Sequence, residues 1–180
     1  TAMGESTTAS GNSSTAMGFQ TTASGENSTA MGGSTEASGN ASTAMGQSTE
    51  ASSLYSTAMG YNTEASGQIS TAMGASTKAS GNSSTAMGVN TIASGDASTA
   101  MGGNTEASGE NSTAMGDETT ASDYGSLVIG QYNSSGSSVT SSATAFSTAN
   151  TAFVIGNGAN SVSSSDAFKV MFNGDTYVSN

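Results

Sequence analysis

The side chains that most often carry out chemistry are scarce in this sequence. Its 180 residues include no His and no Cys, so imidazole acid–base work, thiolate attack and a disulfide framework are all ruled out. Ser and Thr abound, yet a hydroxyl nucleophile needs a base beside it. Only Lys78 and Lys169 could serve, in a Ser-Lys arrangement, and both stand in strand-like surroundings. Gly-rich turns such as Gly156-Asn157-Gly158 are not followed by a helix, so no fan of amides is aimed at a phosphate. Neither an enzyme nor a cofactor is expected.

Charge narrows the partners. Thirteen Asp and Glu face two Lys, for a net charge of −11. Phosphate backbones and anionic lipid surfaces require basic patches, so nucleic acid and membrane surfaces are poor partners. No apolar run is long enough for a membrane-spanning helix. No signal peptide is present, and the chain opens inside a repeat at Thr1-Ala2-Met3-Gly4. It reads as a piece of a longer protein, with targeting or anchoring parts elsewhere.

That repeat organises everything else. Met3, Met17, Met31, Met45, Met59, Met73, Met87, Met101 and Met115 recur at a step of 14, each within Thr-Ala-Met-Gly. Midway between them stand Ala9, Ala23, Ala37 and their successors, each followed by Ser. The next step lands on Ile129, in Ser126-Leu127-Val128-Ile129-Gly130. Helical repeats need about twice that length or more, whereas 14 residues suit two short strands and two turns. Stacked copies would lie about 4.8 Å apart, so nine to ten coils give a rod roughly 45 Å long. The fold expected is all-β, a parallel β-roll or solenoid over residues 1–130. An irregular Ser/Thr-rich insertion is expected at 131–152. A final coil and a β-hairpin cap are expected at 153–180, the hairpin from Phe168-Lys169-Val170-Met171-Phe172, a turn at Asn173-Gly174-Asp175, and Thr176-Tyr177-Val178. A cap would close an end that otherwise exposes an unpaired sheet edge.

Alternation along the strands assigns the faces. The Thr8 position varies through Thr22, Glu36, Glu50, Glu64, Lys78 and Ile92, so it faces solvent, while Thr7 and Ala9 face inward. The strand Thr15-Ala16-Met17 has no such variable position, and its late copies Leu127-Val128-Ile129 and Phe153-Val154-Ile155 are apolar throughout. That pattern means burial on both faces. One face packs inside the coil; the other needs a second chain. Met17, Met31, Met45, Met59, Met73, Met87, Met101, Met115, Leu127, Ile129, Phe153 and Ile155 are the residues expected to pack there.

Two surface features qualify as sites. Glu36, Glu50 and Glu64 fall one per coil and should stack in a column. Two readings are open: a solvated acidic face that resists aggregation, or a Ca²⁺ site. At the turns, Leu54 and Tyr55 break a polar pattern, Ser53 replaces the usual Gly, and Ile69 follows one coil after Tyr55. Tyr61 and Phe19 occupy the other turn. Leu54, Tyr55, Tyr61 and Ile69 are the candidate ligand-contact residues; covering a turn or a neighbouring chain is the other role open to them.

The unit Ser-Thr-Ala-Met-Gly-x-x-Thr-x-Ala-Ser-Gly resembles the head repeat of trimeric autotransporter adhesins, the YadA-like repeat. Thr15 and Met17 stand where that family carries Val and Ile, while Leu127 and Ile129 lie closer to it. The resemblance implies a left-handed roll, three chains around one axis, and a surface-exposed, extracellular role in attachment to a host protein or glycan. Similar repeats occur in phage and other virus tail fibres, which keeps a virion surface open. An ice-binding or purely structural filament is a further alternative, although ice binding needs regular outward Thr rows; here the regular Thr7 row is expected inside the coil, the regular Thr15 row on the face that a second chain covers, and only the irregular Thr8 row outside.

Overall fold

The computed structural model describes residues 1–138 and 141–179. Two compact units are present, Thr1–Val89 and Asn90–Asn180. Among the described residues there is no helix.

In the first unit, five-residue strands such as Thr15–Phe19, Thr29–Gly33 and Thr57–Tyr61 alternate with two-residue strands such as Thr22–Ala23 and Glu36–Ala37. Each pairs in parallel with its counterpart one coil on: Thr15 with Thr29, Ala16 with Ala30, Met17 with Met31. Long strands build one sheet and short strands the other, so the first unit is a parallel β-solenoid of 14-residue coils.

The interior is built from small side chains. Ala16, Ala23, Ala30 and Ala37 are fully buried, as are their successors, and the Thr21, Thr35, Thr49 row is sealed beside them. Thr22 is only half-buried, so the alternation read from the variable position holds. The Thr21, Thr35, Thr49, Thr63 and Thr77 hydroxyls have no hydrogen-bond partner among the described residues. In this row the methyl groups do the packing, and the hydroxyls cost desolvation. A core this thin has no space for larger side chains between the sheets. Gly18, Gly32, Gly60 and Gly74 explain how tightly the coils stack: each has φ near +125°, and a Cβ on any of them would run into the carbonyl oxygen of the next glycine in the column.

The second unit opens with the same alternation, from Ile92–Ala93 to Leu127–Gln131. Two side chains then end the short-strand ladder. The Asn133 amide accepts from the Thr120 N–H at 2.8 Å and donates to the Thr120 carbonyl at 3.2 Å, standing in for the peptide group of a further short strand. Asp123 occupies the place that Gly95 and Gly109 hold in earlier coils. Its buried carboxylate accepts from the Thr151 N–H at 2.8 Å and the Ser141 N–H at 3.2 Å, tying down the excursion between them. Buried Asn150 gathers the same segment, bonding Ser142 and Ala145.

The chain returns as Thr151–Asn157, parallel to Leu127–Gln131, with Phe153, Val154 and Ile155 opposite Leu127, Val128 and Ile129. Direction then reverses. Asp166–Met171 runs antiparallel to Thr151–Asn157, and Thr176–Val178 antiparallel to Asp166–Met171. These last two strands form a hairpin, with Phe168 opposite Val178 and Val170 opposite Thr176.

Candidate functional site

The geometry of a coil corner decides what can be displayed there. Every seventh residue of the first unit lies in the left-handed region, at two corners per coil: Gln20 and Asn27, Ser34 and Ala41, Ser48 and Tyr55, Asn62 and Ile69. Each corner residue donates its N–H to the carbonyl fifteen positions back, as Asn27 to Asn12 and Ser34 to Phe19 do, so the corners are laddered like the strands. This conformation suits Asn and Ser and penalises bulky or β-branched residues.

Tyr55 (φ 58°) and Ile69 (φ 58°) break that rule. They sit at the same corner in consecutive coils, joined by the Ile69 N–H to Leu54 carbonyl bond at 2.9 Å. Tyr55 is 58% exposed, Ile69 59% and Leu54 37%. The backbone adjusts nearby. Where Gly25, Gly39 and Gly67 donate their N–H to an alanine carbonyl one coil on, Ser53 turns its N–H to the Ser56 hydroxyl at 3.2 Å. Three apolar side chains, two of them on strained backbone, thus stand together in solvent. Tyr61 does not join them: it lies at the opposite corner, in register with Gln47 and Ala75.

Strain of this kind costs about 1–2 kcal/mol for a residue with a Cβ. Replacing Ile69 with Asn is therefore expected to stabilise the chain by about 1 kcal/mol. Thermal unfolding followed by circular dichroism should show a midpoint roughly 2–4 °C higher. An unchanged or lowered midpoint would mean that Ile69 makes compensating contacts.

The glutamate column forms in register, Glu36 beside Glu50 and Glu50 beside Glu64. Lys78 follows and closes on Glu64, its ammonium 2.7 and 2.8 Å from the two carboxylate oxygens. Ser66 donates to the same carboxylate at 2.9 Å. Partial burial pushes the Glu64 carboxyl up, but the bonds from Lys78 and Ser66, with the Lys78 charge, outweigh it and hold the group below the ordinary glutamate value. The depressed carboxyl contributes stability above its unfolded pKa that is lost in acid, and the pair is too exposed for that contribution to be large. Among the described residues no three acidic side chains converge on a metal-sized site.

The methionine row lies on the outer face of the long-strand sheet. Met17, Met31, Met45, Met59 and Met73 are half-buried within their own chain, in register from coil to coil, with Thr15 and its successors beside them. In the second unit Leu127 is 37% exposed, and Ile129, Phe153 and Ile155 are half-buried on the corresponding face. The face is apolar, periodic and incompletely covered.

Comparison with known families bears on this arrangement. A family model, the YadA head domain repeat (2 copies), matches residues 1–21, 9–35, 23–49, 37–63, 51–77, 65–91, 79–105 and 107–133. The chain belongs to the YadA head-repeat family. The ends of its matched segments advance by whole coils, the step that the strand register shows. No curated protein matches the chain. YadA head repeats are structural, adhesin-type units rather than enzymes, and belong to surface-exposed adhesins.

Sequence reasoning missed three features. The corner strain at Tyr55 and Ile69 was hidden because the two left-handed positions per coil are not marked by glycine. Asp123 was visible as a departure from the glycine that precedes it in the repeat. Asn133 lies just beyond the last regular coil, where the period no longer helps.

Proposed function

We propose that this YadA-type chain is a surface attachment protein, assembled as a homotrimer around the methionine face and displaying ligand contacts at its coil corners. The observation that carries the reading is the outer row of Met17, Met31, Met45, Met59 and Met73, half-covered in the single chain and unbroken in register. A periodic apolar face of this length is stabilised when a second copy covers it. Trimers and a left-handed roll are what family membership suggests. The setting is extracellular, at a cell surface, and the partner is a host protein or glycan. The C-terminal hairpin serves as the cap of the roll.

The ligand contacts are assigned to Leu54, Tyr55 and Ile69, because strained backbone is kept where the displayed side chains have a use. The triple variant L54S/Y55S/I69S should bind at least roughly tenfold less to cultured host cells or an extracellular-matrix and glycan array, a drop of about 1.4 kcal/mol or more. Sedimentation should show the same oligomer as the parent. Unchanged attachment would remove these residues from the binding surface.

A further inference from the structure

The second unit holds a cleft with a different chemistry. Lys169 and Tyr177 lie directly opposite each other in the hairpin, which places both side chains on one face. The Lys169 ammonium stands 5.9 Å from the Tyr177 ring centroid. Lys78 is neutralised by Glu64, whereas Lys169 has no carboxylate partner among the described residues. Both side chains border a cleft of about 280 Å³, with Asp166, Ser134 and Ser179 also in its wall. One Asp166 oxygen accepts the Ser134 N–H at 2.8 Å, and the other has no partner among the described residues.

We infer that this cleft binds a neutral saccharide unit through a pair of ring hydroxyls. An ionised carboxylate only accepts hydrogen bonds and an ammonium only donates them, while a hydroxyl does both. A vicinal diol therefore satisfies Asp166 and Lys169 together, through charge-assisted bonds. Ser134 and Ser179 add hydroxyls of either polarity, and the Tyr177 ring, half in solvent, offers an apolar surface to the C–H face of a sugar. Asp166 beside Lys169, on a chain of net charge −11, disfavours an anionic ligand. The volume falls just below the usual range for ligand clefts, about 300–1,000 Å³, and suits no more than a single ring. The residues lining the cleft all fall within 134–179 and include none of the corner residues Leu54, Tyr55 and Ile69, so either site can fail alone.

Saturation-transfer difference NMR on the full chain tests the assignment. The probes are methyl α-mannoside, methyl β-galactoside and the methyl glycoside of N-acetylglucosamine, each at millimolar concentration, with the methyl α-glycoside of N-acetylneuraminic acid, its carboxylate free, as the acidic comparison. At least one neutral glycoside should receive saturation. Its affinity should fall about tenfold or more in Lys169→Met, the scale of one lost charge-assisted bond. Tyr177→Ala, at an exposed position, should lower it as well. The corner variant L54S/Y55S/I69S should bind the sugar as the parent does. No transfer to any neutral glycoside, binding of the acidic sugar alone, or equal transfer in parent, Lys169→Met and Tyr177→Ala would each overturn the inference.

Discussion

Replacing Met59 and Met73 together with aspartate is expected to abolish the proposed trimer, leaving at micromolar concentration a chain that sediments at one third of the parent mass or unfolds. Met59 and Met73 are adjacent in the outer row, opposite each other in register. In the proposed assembly each would meet its two symmetry mates. A buried methionine contributes roughly 1.5–3 kcal/mol relative to an exposed one. The aspartates would lose that and add like charges, and an ion removed from water costs several kcal/mol when no partner compensates it. Two positions in three chains multiply both effects. Met59→Leu, of similar volume, should leave assembly unchanged, since such swaps usually cost under about 1.5 kcal/mol. Analytical ultracentrifugation reads the result directly. A parent chain that sediments as a stably folded monomer would remove the basis of the proposed assembly, whatever the variants do.

A single methyl group should be nearly as damaging when placed on the backbone axis of the coils. Gly74 has φ +125°, and a Cβ there would overlap the carbonyl oxygen of Gly88 one coil on. No flexible side chain can yield, because the obstacle is backbone. Gly74→Ala therefore combines conformational strain of about 1–3 kcal/mol with a forced separation of two hydrogen-bonded coils. A loss above about 4 kcal/mol is expected, in the rare, severe class for one substitution. Gly33→Ala is the matched control: nothing lies within 4 Å of the added carbon, and its φ is not positive. Other coils carry Phe19, Gln47 and Tyr61 at that place. Chemical denaturation of the two variants should separate them widely. Equal stability would mean that the coils can slide apart at little cost.

The contrast between Gly33 and Gly74 also shows how much of this fold the repeat makes legible from residue types alone. At one position every coil of the first unit keeps glycine, and at the next it varies from glycine to tyrosine. The same comparison placed Thr21 and Ala23 inside and Glu36 outside, because a solvent-facing position tolerates change and a packed one does not. The hairpin was legible because Asn173-Gly174-Asp175 interrupts two runs of strand-forming residues. Other features depend on contacts that leave no period. The corner strain at Ile69 follows from a φ angle that the ladder of fifteen-back hydrogen bonds imposes, whatever the residue. The placement of Asn133 and of Ser141–Thr151 rests on side chains replacing backbone groups, as Asn133 does opposite Thr120 and Asp123 in place of a turn glycine. The sugar cleft required the hairpin register to bring Lys169 opposite Tyr177 and a distant loop to bring Ser134 to Asp166. The separation of Tyr61 from Leu54, Tyr55 and Ile69 was legible in advance, because the period alone puts it on the other turn of the coil.

The register of the strands has a consequence for how such genes change. Every residue of a regular coil meets its own counterpart one repeat away, Ala with Ala and Gly with Gly. Duplicating or deleting a whole coil in frame restores those neighbours at the seam, and each coil depends chiefly on the two beside it. Recombination between near-identical repeats therefore offers the lineage viable longer and shorter variants. A slip by a single codon would turn methionines inward and alanines outward, and selection would discard it.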